Sequence, residues 1–145
     1  TYIRSAGHLG WAFPASLGAK CALPNKPVIC FTGDAGFWYH IAEIEVAVRW
    51  NINTIVSVNN NSGGNQSKRG FDRAYGGEQT EEGRQLWTFN NINFAAIAEN
   101  IGAVGIRVEN AKEIKPAIEK AIELNNPVII DVVTDINALA PLAIV

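Results

Sequence analysis

Two short runs, Val28-Ile29-Cys30-Phe31-Thr32 and Thr54-Ile55-Val56-Ser57-Val58, constrain the fold of this chain more than any other feature. Each is an almost unbroken set of β-branched and apolar residues of strand length, without the in-out alternation of a strand that has one wet face. Between them, residues 40–50 carry Ile41, Ile44 and Val48 on one helical face, with Glu43 and Arg49 elsewhere. Strand, amphipathic helix and strand make a βαβ unit. The first run reads as a central parallel strand buried on both faces, so helices must cover the sheet above and below.

The rest of the chain repeats the alternation. Residues 1–10 form an extended lead-in ending in Gly7-His8-Leu9-Gly10, and residues 11–23 a helix with Pro14 in its first turn and a face of Ala15, Gly18, Ala19 and Ala22. Residues 62–87, SGGNQSKRGFDRAYGGEQTEEGRQLW, show no sustained period and read as one long loop, a length that commonly serves as a lid or binding segment. Residues 93–101 are a helix with Phe94, Ile97, Ala98 and Ile101 inward and Gly102 as its C-cap. A strand over 105–108, a helix over 112–124 with Ile114, Ile118 and Ile122 at spacing four, and a strand over 128–133 complete the pattern. It predicts a doubly wound, mainly parallel α/β sheet with helices on both faces and all strand ends on one edge.

That edge is where the chemistry is expected. The first strand runs into Gly33-Asp34-Ala35-Gly36 and the second into Asn59-Asn60-Asn61, and neighbouring parallel strands bring their C-terminal ends side by side. A carboxylate, side-chain amides and backbone carbonyls are oxygen donors, which suit Mg2+ or Ca2+ rather than zinc. His8 and His40 are the only histidines, and Cys21 and Cys30 lack ligand spacing. The helix after Ala35-Gly36 turns its free N–H groups to the same place, and glycine there lets a phosphate approach the backbone. A Gly-Asp turn or an asparagine cluster alone is a common structural device; together across one βαβ unit they describe a diphosphate site. Asn65, Gln66, Lys68, Arg69 and Arg73 read by default as a solvated loop, with substrate carboxylate binding as the sharper alternative.

Composition narrows the setting. A length of 145 residues makes one domain with a full core, and a net charge of −2 with scattered Lys and Arg argues against a nucleic-acid surface. No apolar run approaches the ~18 residues of a membrane span, and no secretion signal opens the chain. Two cysteines inside apolar runs suit a reducing compartment, so a cytoplasmic location is expected. The chain starts at Thr1 and has no methionine, which fits a module of a longer, multi-domain polypeptide.

These residues resemble a known family. GDAG followed after the helix by NNN is similar to the GDG and NN signature of thiamine diphosphate enzymes. Gly7-His8-Leu9-Gly10-Trp11-Ala12-Phe13-Pro14-Ala15-Ser16-Leu17-Gly18-Ala19 resembles the G-x-x-G-x-x-x-P-A-x-x-G-A segment of the acetolactate synthase, pyruvate oxidase and pyruvate decarboxylase group. The resemblance covers nearly the whole chain and implies the C-terminal, diphosphate-binding domain of such an enzyme. It implies Asp34 and Asn61 as side-chain ligands of Mg2+ and Gly63 as a carbonyl ligand. It places the N–H groups of Ala35, Gly36, Gly64 and Asn65 towards the diphosphate, after Gly33. Gly7 would accept a hydrogen bond from the cofactor's amino group, His8 would border it, and Leu9 would hold it bent.

Ala35 departs from the usual third glycine of the motif, which a residue at negative φ accommodates. The resemblance also implies what this chain lacks: a glutamate on a pyrimidine-binding domain, of the same or a neighbouring subunit, that activates the cofactor. No residue here takes that catalytic role. Implied as well are a homodimer or homotetramer, a small carbonyl substrate, and, where FAD is bound, a separate domain for it. The expected reaction is decarboxylation or carboligation of 2-oxo acids, with a carbon–carbon hydrolase or aldehyde lyase as the alternative on the same scaffold. A flavodoxin-like module that binds a phosphorylated ligand without catalysis is the rival from another class, and has no use for the amide cluster.

Overall fold

A computed structural model of the chain describes residues 1–4, 7–77 and 80–138. Parts of the expected lead-in (5–6), of the expected loop (78–79) and of the 1–145 domain (139–145) lie outside the described residues. Four parallel strands, β1 (Ile29–Gly33), β2 (Ile55–Asn60), β3 (Val104–Val108) and β4 (Val128–Val133), form one sheet in the order β1-β2-β4-β3. The helices are α1 (Ala12–Ala22), α2 (Asp34–Trp38), α3 (Glu43–Arg49), α4 (Asn65–Ala74), α5 (Glu81–Gln85), α6 (Phe94–Ile101) and α7 (Ile114–Leu124). The doubly wound parallel α/β fold expected from the sequence is the one observed.

Strand periodicity explains how both faces are covered. Alternate residues of β1, β2 and β4, Cys30, Val56, Val58 and Ile129 among them, pack with Phe13 and Leu17 of α1, Phe37 of α2, Ile44 and Ala47 of α3 and Phe94 and Ala98 of α6. The other parity, Ile55, Val128, Ile130 and Val132 with Val108, meets Ala117 and Ala121 of α7. Phe37 is the keystone of the larger core, its ring centre 5.4 Å from Phe13 and 5.5 Å from Phe94.

Four sequence expectations are corrected. Among the described residues β1 is an edge strand, with Ile29 and Phe31 respectively 47% and 74% exposed on the face that no described helix covers. An apolar run shows that two faces can be buried, while strand order decides whether they are. The helix expected over 40–50 is the shorter α3, preceded by the separate α2, and the turn between them at residues 39–42 lets Phe37 and Ile44 both reach the core. The stretch 62–87 is not a single loop but contains α4 and α5. α4 buries no residue and, with only Phe71 and Ala74 apolar, has no apolar period to read, and α5 is announced only by Thr80, whose hydroxyl accepts from the Gly83 N–H at 3.1 Å. In α7, Ile114 and Ile118 pack on the core but Ile122 is 45% exposed. A spacing of four drifts about 40° per step around a helix of 3.6 residues per turn.

Candidate functional site

The C-terminal ends of β1 and β2 are adjacent, with Gly33 opposite Asn59. Asp34 is the first residue of α2 and only 3% exposed. Its Oδ1 accepts from the Ala35 N–H at 2.7 Å and its Oδ2 from the Gly63 N–H at 3.1 Å, so one carboxylate ties the end of β1 to the loop after β2. Burial pushes the Asp34 pKa up, and the backbone N–H groups of Ala35, Gly63, Ser62 and Asn61 oppose the shift.

The three asparagines divide. Asn59 Oδ1 accepts from the Thr134 hydroxyl at 2.7 Å, and Asn60 turns inward, its Nδ2 donating to Ile92 O and to Asp131 Oδ1, each at 2.8 Å. Asn61 Oδ1 is buried and has no hydrogen-bond partner among the described residues. A buried amide oxygen left unpaired costs free energy unless something else satisfies it. Among the described residues no three His, Cys, Asp or Glu side chains cluster, so a cation here would meet one carboxylate with amide and carbonyl oxygens. That donor set suits Mg2+, which takes few protein ligands and shares its shell with phosphate oxygens.

The ten residues His8, Leu9, Gly33 to Gly36, Asn61, Gly63, Gly64 and Asn65 all line one cleft of about 790 Å3, within the range of small-molecule sites. Gly7, at φ 95°, precedes it in the chain. Gly36 is closely overlaid: a Cβ there would lie 3.1 Å from Thr32 Oγ1 and 3.4 Å from the Gly10 nitrogen. The Leu9-Gly10 segment thus crosses the β1–α2 turn, and Leu9 is half exposed in the cleft. A Cβ on Gly10, at φ 85°, would meet Tyr39 and His40, which places His40 against this segment. Ala35 lies inside α2 and is not among the positive-φ residues, so its methyl is accommodated.

α4 opens on the same cleft. Its first residues Asn65, Gln66 and Ser67 line it, and no side chain caps the helix. Two of the N–H groups expected to face the diphosphate are engaged within the protein, Ala35 by Asp34 Oδ1 and Gly64 by Trp87 O at 2.7 Å, and the Asn65 amide donates to Ile136 O at 2.6 Å, so the backbone N–H groups of the first turn of α4 are what this end offers an anion. Ser67 is a cleft residue that the sequence did not single out, and Gln66, read there by default as solvated loop, also lines the cleft. Gly63-Gly64 ahead of a polar stretch was the available signal, obscured because α4 lacks an apolar face. The cleft wall formed by Trp38, Tyr39, Leu86 and Phe89 was not expected, whereas Trp87, whose aromatic side chain suggests that the 62–87 stretch folds back, does line the cleft. Lys68 pairs with Asp72 at 2.8 Å and lies 5.7 Å over the Trp87 ring.

A family model described as "Thiamine pyrophosphate enzyme, C-terminal TPP binding domain" matches residues 1–132. The chain belongs to that family. Thiamine pyrophosphate is thiamine diphosphate under another name, and this thiamine diphosphate-binding domain has relatives of several activities. It is 31% identical over 124 residues to the acetolactate synthase large subunit of Haemophilus influenzae, covering 86% of this chain and 21% of that protein. It is 35% identical over 139 residues to the glyoxylate carboligase of Escherichia coli O157:H7, covering 90% of this chain and 23% of the relative. The sulfoacetaldehyde acetyltransferase of Alcaligenes xylosoxydans xylosoxydans is 35% identical over 125 residues, 83% of this chain and 19% of that one. Among solved structures, the thiamine diphosphate-dependent 4-hydroxybenzoylformate decarboxylase of Rhodococcus jostii superposes with a TM-score of 0.75 at 28% identity, over 88% of this chain and 23% of that chain. The thiamine diphosphate-binding domain therefore spans about a fifth of the length of these relatives. No helix among the described residues is long and apolar enough to cross a membrane.

Proposed function

We propose that this chain is the diphosphate- and Mg2+-holding domain of a multi-domain enzyme that breaks or forms a carbon–carbon bond next to a carbonyl, with 2-oxo acid decarboxylation and carboligation of acetolactate synthase type as its reaction. The observation that carries the reading is the buried, unpaired Asn61 Oδ1 in the same cleft as the Asp34 carboxylate, delivered by two strands of one βαβ unit. Asp34 and Asn61 hold the cation through side chains and Gly63 through its carbonyl. The N–H groups of Gly36 and of the first turn of α4 from Asn65 onward offer donors to the diphosphate, and Leu9 gives the cofactor an apolar support. Bound thiamine diphosphate supplies a carbon nucleophile and an electron sink for the cleaved bond. This chain orients it, and the activating glutamate comes from a pyrimidine-binding domain of the same or a neighbouring subunit in a homodimer or homotetramer. A flavin, if bound, would sit in a domain outside these residues, and the enzyme works in the cytoplasm.

The test is calorimetry of thiamine diphosphate and Mg2+ binding to the full-length protein. Asp34→Ala and Asn61→Ala are each expected to weaken binding by about 10-fold or more, and unchanged binding in both would overturn the reading. A product screen with pyruvate and other 2-oxo acids then checks the reaction; carbon dioxide released from none of them would contradict the decarboxylase assignment.

A further inference from the structure

Asn60 and Asp131 line no part of the cleft, yet they sit directly behind Asn61. Asp131 is fully buried on β4, and its two oxygens take three donors. Oδ1 receives Asn60 Nδ2 at 2.8 Å, while Oδ2 receives the Phe94 N–H at 3.0 Å and Arg107 Nη1 at 2.7 Å. One carboxylate therefore joins β2, β3, β4 and the start of α6. Asn60, 3% exposed, uses its whole amide: Nδ2 also donates to Ile92 O at 2.8 Å, and Oδ1 accepts from the Ser62 N–H at 3.4 Å.

The last of these bonds steps over Asn61. Ser62 holds a left-handed backbone at φ 56°, unfavourable for a residue with a side chain, and the long Asx-type bond from two residues earlier supports such a turn. Beyond that kink, Gly63 turns its N–H to Asp34 Oδ2. Asn61 is thus clamped on both sides, by the anchored Asn60 before it and by the kink after it, and its own oxygen is left unpaired.

We propose that Asn60 and Asp131 are positioning residues for the cation: the Asp131 carboxylate, steered by Arg107 and the Phe94 N–H, orients the Asn60 amide, which sets the Asn61–Gly63 turn in the geometry that presents Asn61 Oδ1 and the Gly63 carbonyl to the metal. Only asparagine serves at position 60, because the site needs a donor towards Asp131 and an acceptor towards Ser62 at once. This inference rests on the assignment of Asn61 as a metal ligand.

The experiment measures Mn2+ affinity of the full-length enzyme by electron paramagnetic resonance, with thiamine diphosphate present, alongside its melting temperature. Asn60→Ala and Asp131→Asn are expected to raise the Mn2+ dissociation constant about 10- to 100-fold, the usual cost of losing a group that orients a ligand. Val128→Ala, a cavity at the opposite end of β4, is expected to lower the melting temperature and leave Mn2+ affinity unchanged. Unaltered Mn2+ affinity in Asn60→Ala and Asp131→Asn, with Asn61→Ala still losing it, would refute the positioning role. If Asn61→Ala also leaves Mn2+ affinity unaltered, the metal assignment itself fails.

Discussion

Asp34 is under opposing demands. Burial disfavours its charge and lifts its pKa above the ordinary aspartate value, while backbone N–H groups favour the charge. Without a cation, its contribution to stability is full below the unfolded-state pKa and is lost as pH rises through the raised folded value. A divalent cation reverses that penalty by pairing with the ionised form. Proton and metal therefore compete, and Mn2+ affinity should decline on acidification at a higher pH than it would for an ordinary aspartate. Electron paramagnetic resonance titrations across the acidic range check this, and an affinity that holds down to the ordinary aspartate pKa would contradict it. At this scale Asp34 and the asparagine run were legible, because strand ends and oxygen donors are written in residue identity. The separate duties of Asn59, Asn60 and Asn61 were not, since they depend on partners such as Asp131 and Thr134 that lie on a distant strand.

Among the elements, α6 shows how closely helix and sheet are fitted. Asn93 caps it through Oδ1, which accepts from the Ala96 N–H at 2.9 Å, and Gly102 ends it at φ 98°. A Cβ on Gly105 of β3 would collide with the Ala95 backbone carbonyl, so α6 rests on β3 with no side chain between them. Gly105→Ala is expected to destabilise the fold by about 1–3 kcal/mol, the range for overpacking a close contact. Denaturant unfolding of the full-length enzyme measures it, and an unchanged midpoint would show that α6 can shift freely. The C-cap of α6, Gly102, was readable because it acts within a few residues along the chain, while Asn93 reads from the sequence as the first helical residue rather than the N-cap it is. α4 was not readable, because it has only Phe71 and Ala74 as apolar side chains, too few to mark an apolar face.

Across the whole molecule, β1 is the open margin. Its outer face presents Phe31 and Ile29 to solvent, next to an unpaired strand edge, the arrangement that invites association with another chain. Residues 1–145 expressed alone are expected to self-associate, and Phe31→Glu to reduce that association. Light scattering at matched concentrations measures both, and a monodisperse monomer before substitution would contradict the expectation.

By itself the sequence determined the parallel α/β class, the βαβ unit and the edge that carries Asp34 and Asn61, because these follow from side-chain polarity, strand parity and local caps. Strand order, the exposed side of β1, the helices within 62–87 and the Asp131–Asn60 bracket behind Asn61 were decided by the tertiary structure. Each of those depends on which distant segments become neighbours, and no local pattern of residues encodes that.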